Sequence, residues 1–126
     1  MATAIEKVVS LSESIREALK EREIIAYVEV LDGIKEVRIE VENYNIDEEE
    51  FLKKLVEKLK EEGYNVDAVE RCYWDAVTEY DLLTGEVINE EDVGWTNHWM
   101  ICITIWSNDK EIEEVVEDVV KAIKSI

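Results

Sequence analysis

His98, Cys102 and Cys72 are the side chains best suited by type to act as base, nucleophile or soft metal ligand. Two of them fall in one stretch, "VGWTNHWMICITIW" at 93–106. That stretch also holds three of the four Trp and the only Met besides Met1. A structural zinc needs four Cys or His ligands in close pairs, but the chain has two Cys, one His and no Cys-x-x-Cys. Read as a strand, the stretch puts His98 and Cys102 on one face. Four residues of strand separate them by roughly 13 Å, too far to share an ion or a proton.

Other chemistries lack their parts as well. There is no Gly-x-Ser-x-Gly for a nucleophile elbow. No Asp-rich loop suits a hard cation. The four glycines, Gly33, Gly63, Gly85 and Gly94, are scattered and form no phosphate-cradling loop. No catalytic residue, metal or cofactor is expected.

The charge narrows the partners. With 32 Asp+Glu against 14 Lys+Arg, the formal net charge is −18. Nucleic-acid binding relies on Lys and Arg neutralising phosphates, and anionic lipid repels the same surface. Direct binding to nucleic acid or membrane is not expected. The acidity serves solubility or attracts a basic protein. The start of the chain is amphipathic and charged, unlike a signal peptide, and no run approaches the roughly 20 apolar residues of a membrane span. An intracellular, soluble protein is expected. The absence of Gln beside abundant Glu, Lys and Ile resembles hyperthermophile usage, which suggests a hyperthermophile or its virus as source.

The elements that must position these residues read as one domain, 1–126. Residues 4–21 place Ile5, Val8, Ser12, Ile15 and Leu19 at helical spacing. Asp32-Gly33 between alternating runs signals a two-residue hairpin. Leu31 then faces Ile34, and Val28, Ala26 and Ile24 oppose Val37, Ile39 and Val41 on one apolar face. The other face carries Tyr27 opposite Arg38 and Glu29 opposite Glu36. A helix follows, capped by Asp47 with Glu50 in the box position and Ile46 stapled to Phe51. It runs through Leu52, Leu55, Val56 and Leu59 to a stop at Gly63. The last helix starts near Asn108 and buries Ile112, Val115, Val116, Val119, Val120 and Ile123.

Residues 66–106 read as a second hairpin about Thr84-Gly85. Its parity puts Cys72, Trp74, Ala76, Tyr80 and Leu82 on the core face with Val87, Val93, Trp95, Trp99, Ile101, Ile103 and Ile105. Cys72 and Cys102 then lie on opposite faces, which forbids a disulfide between them. The expected fold is α+β: a two-layer sandwich of a four-stranded antiparallel sheet and helices in the order α-ββ-α-ββ-α.

The second sheet face mixes Arg71, Tyr73, Asp75, Val77 and Glu79 with Thr96, His98, Met100, Cys102, Thr104 and Trp106. Either the first helix covers it or it meets something else, because exposed half-apolar faces mark interfaces. The leading expectation is a non-enzymatic protein that acts through protein–protein contacts. It would be a homodimer across this face, with Tyr73, His98, Met100 and Trp106 at the interface. One alternative is an acidic decoy or inhibitor of a basic nucleic-acid-handling protein. Another is a small-ligand binder or enzyme using Tyr73, Asp75 and His98.

Overall fold

A computed structural model describes residues 3–73, 77–91 and 98–126, the side chains of Tyr73, Val77, Glu91 and His98 apart. The fold is α+β with an antiparallel sheet and three helices. In chain order the elements are α1 (Ala4–Glu21), β1 (Tyr27–Leu31), β2 (Glu36–Glu42), α2 (Ile46–Glu61), β3 (Asn65–Tyr73), β4 (Val77–Asp81), β5 (Val87–Glu91), β6 (His98–Trp106) and α3 (Ile112–Ser125).

The sheet has six strands, not the expected four, in the spatial order β1-β2-β6-β3-β4-β5. The element order is therefore α-ββ-α-ββββ-α. The Thr84-Gly85 turn exists, and Gly85 takes φ +75 there, but it joins the short strands β4 and β5. The chain has already reversed between Tyr73 and Val77, since β3 pairs with β4. No Gly, Pro or Asn marks that reversal. β6 then runs to the middle of the sheet, between β2 and β3.

The parity expected for the long strands holds in this arrangement. Cys72 pairs with Trp99 and Ala68 with Ile103 on the helix side, while Val69 pairs with Cys102 on the other side. Ile101, Ile103 and Ile105 are fully buried. Val87, expected in the core, is instead 58% exposed on the edge strand β5. Trp74, Ala76, Val93 and Trp95 lie outside the described residues.

The first hairpin is two residues longer at its turn than expected. Asp32–Ile34 form a 3₁₀ turn closed by Lys35 in the left-handed region (φ 54), its N–H donating to the Asp32 carbonyl at 3.2 Å. Leu31 therefore pairs with Glu36, and Ile34 is 61% exposed rather than facing Leu31. A slip of two keeps every side chain on its face, so Val28, Val37, Ile39, Val41 and Ile24 still fill the core. The slip also replaces the expected Glu29–Glu36 juxtaposition with Glu29 opposite Arg38, trading a like-charge cross-strand pair for an opposite-charge one.

Two helix starts also differ. Asn45, not Asp47, caps α2, its Oδ1 accepting from the Glu48 N–H at 2.8 Å. Ile46 consequently stands 70% exposed rather than stapled. α3 begins at Ile112 rather than near Asn108. At its other end α2 stops as expected, with Gly63 at φ 93. α1 matches its expected span and carries a capping box between Thr3 and Glu6.

All three helices pack on the same face of the sheet. Ile15 and Leu19 of α1, Leu52, Leu55 and Leu59 of α2, and Val115, Val119 and Ile123 of α3 share one core with the inward strand residues. The far end of α2 is tied to α3 by Tyr64, whose hydroxyl donates to Asp118, which also receives Lys110 at 2.8 Å. No helix among the described residues is long and apolar enough to cross a membrane.

Candidate functional site

With every described helix on one side, no helix among the described residues covers the other face of the sheet. α1 does not reach it: its buried residues Ser12, Ile15, Ala18 and Leu19 turn toward the strands and α3. The strand registers set what this face carries. β6 contributes Met100, Cys102, Thr104 and Trp106; β3 contributes Asp67, Val69 and Arg71; β2 contributes Glu36, Arg38, Glu40 and Glu42. Glu29 of β1 and Glu79 of β4 flank them.

The centre of the face is a shallow hollow of about 320 Å³, floored by Val69, Cys102 and Thr104 and rimmed by Arg38, Glu40, Asp67 and Arg71. Among the described residues the carboxylates of this face, Glu29, Glu36, Glu40, Glu42, Asp67 and Glu79 among them, outnumber its two guanidiniums. Both guanidiniums are engaged by carboxylates of this same face. Arg38 Nε lies 2.7 Å from Glu36, and Arg71 Nη2 lies 3.4 Å from Glu79. The field over the hollow is therefore negative.

Cys102 sits in that field half-buried. Burial pushes its thiol up to about 11; Arg71 opposes the shift, while Glu40, Glu79 and Glu42 add to it. A thiol raised this far is protonated at neutral pH and is a poor nucleophile. Cys72 and Cys102 form no disulfide. Among the described residues no three His, Cys, Asp or Glu side chains gather as ion ligands.

The residues expected to form a site are distributed along this strand. Tyr73 and His98 are direct register partners across β3 and β6, but their side chains lie outside the described part, and Asp75 lies outside the described residues. Trp106 stands at the opposite end of β6, paired with Asn65 and Glu36, roughly 27 Å of strand from His98. Met100 lies between Glu42 and Arg71 in the register. It is only 7% exposed, so its own chain already covers it and it is a weak anchor. Trp106 and Val69 are half-buried and offer the apolar contact instead.

A titratable cluster on the helix side carries no sequence signature. Burial, then a hydrogen bond to Glu70, raises the Tyr44 phenol above its ordinary value. Cys72 Sγ lies 3.8 Å from the same Glu70 carboxylate, and the Trp99 indole N–H donates to the Tyr44 carbonyl at 3.1 Å. Beside it a hollow of about 350 Å³ opens between Glu49 and Lys53 of α2 and Tyr80 near the β4–β5 turn. Tyr44 meets Glu70 only because β6 pairs with both β2 and β3 and so brings them within one strand of each other, a neighbourhood that periodicity along the chain does not encode. A phenol held protonated is a donor rather than a base, so the cluster binds structure together more readily than it moves protons.

Compared with known proteins, the chain matches no family model, no curated protein and no solved structure.

Proposed function

We propose that this protein is a binding module whose open sheet face docks a basic surface of another protein. The observation that carries the reading is the face that no described helix covers, half apolar at its centre and with carboxylates well in excess of its two guanidiniums. Sheets bury an apolar face against a second layer, and among the described residues one side carries no helix. A second copy placed face to face would bring a negative field against its own like, which costs affinity. A partner with Lys and Arg around an apolar stripe meets both features. A nucleic-acid-handling protein, whose working surface is basic, belongs to the class that fits, and the module would then act as a competitor for that surface.

The test uses a basic amphipathic helical peptide as probe, followed by amide chemical shifts. The expected perturbations fall on β2, β6 and β3 at Glu40, Cys102 and Asp67, and the affinity drops as salt rises from about 0.05 to 0.3 M. Perturbations spread evenly over the acidic outer faces of α2 and α3, with the sheet face silent, would refute the reading.

A further inference from the structure

A second unpartnered surface lies on the opposite side of the molecule. α1 and α3 pack side by side, and a groove of about 390 Å³ runs between them with Leu11, Val116 and Val120 as its apolar floor. Its charged rim is ordered along α3. Glu113 and Glu117 occupy the N-terminal half, Lys121 and Lys124 the C-terminal half, all exposed. These four positions succeed one another at three- and four-residue intervals and so share one helix face.

We propose that this groove is a homodimer interface, occupied by α3 of a second copy lying antiparallel across a two-fold axis. Such an axis places identical patches against each other with their ends exchanged. Glu113 then faces Lys124 of the other copy, Glu117 faces its Lys121, and the Val116 and Val120 stretches meet at the centre. The same order of charge that makes the antiparallel pairing attractive makes the parallel one repulsive, so the rim selects one orientation. In a chain of net charge −18 most surfaces repel a second copy. Here the rim charges cancel, and its carboxylates are already held by cations, Glu113 by Lys7 at 2.5 Å and Glu117 by Lys121 at 2.9 Å.

The resulting assembly has four layers, sheet-helix-helix-sheet, with both open sheet faces outward. It stands on the groove alone and does not depend on the docking role of the sheet face.

Sedimentation equilibrium on the intact chain tests it at about 100 µM, where micromolar self-association populates the dimer. Two variants make the test specific. Glu113→Lys with Glu117→Lys gives an all-positive rim, and Lys121→Glu with Lys124→Glu gives an all-negative one. Each alone is expected to be monomeric, its self-association weakened at least about tenfold, while an equimolar mixture recovers a one-to-one heterodimer. Circular dichroism matching the parent shows that both are folded, and a variant that is not folded is replaced by Val120→Glu, also expected to be monomeric. A parent that is monomeric at this concentration, variants that dimerise like the parent, or a mixture that fails to pair would each overturn the proposal.

Discussion

The open sheet face and the α1/α3 groove are both half-apolar surfaces without a partner, yet their charges are arranged in opposite ways. On the sheet face carboxylates outnumber guanidiniums and surround the hollow. Along the groove two carboxylates and two ammoniums are sorted to opposite ends of one helix. The apolar content says only that each surface wants covering; the charge arrangement says by what. A one-signed face calls for a partner of opposite sign, and an end-sorted rim calls for its own copy turned around.

The sharpest contrast lies within β6, where neighbouring residues serve different layers. Ile103 is buried in the core, so Ile103→Ala is expected to cost about 2–5 kcal/mol. Thr104 lies on the open face, and Thr104→Ala is expected to stay within about 0.5 kcal/mol. Urea midpoints measure both. Equal losses would mean that the open face is packed and not a free surface.

Charge reversal separates the two surfaces next. Glu40→Lys with Asp67→Lys is expected to weaken binding of the basic peptide about tenfold and to flatten its salt dependence, with the sedimentation of the free protein unchanged. If the same pair of substitutions shifts the oligomer instead, the assignment of the two occupants is reversed.

A smaller effect reads the field at the hollow. The Cys102 thiol stands at about 11, raised because burial disfavours the anion, so its thiolate fraction grows only as pH climbs past the ordinary cysteine range. Its alkylation at pH 8 is expected to run about 100-fold slower than that of a free thiol and to rise steeply to pH 11. Glu40→Gln should move that rise to lower pH by a fraction of a unit.

Much of this was legible in the sequence where pattern and face coincide. Val28, Val37, Ile39 and Val41 fall on the core side with either a two-residue or a four-residue turn, because a two-residue slip cannot change faces. The same rule kept Cys72 and Cys102 apart. What periodicity could not supply was neighbourhood. Nothing in "CYWDAVTEYD" marks the reversal between Tyr73 and Val77, because no Gly, Pro or Asn interrupts it. The insertion of β6 between β2 and β3 depends on which apolar strands bury most together, a property of the whole core. The stretch "NYNIDEEE" offers Asn45 and Asp47 as equally good cap types, and α2 uses the first. The openness of the second face was undecidable for a similar reason. α1 has an apolar stripe, but which layer it joins is settled by the strands and α3 it packs against.

The central claim is that the hollow over Cys102 is where a basic partner docks. The most direct measurement is the alkylation rate of Cys102 at about pH 9, read by mass spectrometry with and without saturating basic amphipathic peptide, Cys72 serving as the reference on the opposite face. Protection of Cys102 by at least about tenfold, with Cys72 unchanged and the effect lost when salt screens the charges, is the expected result. An unchanged Cys102 rate with peptide demonstrably bound would contradict it.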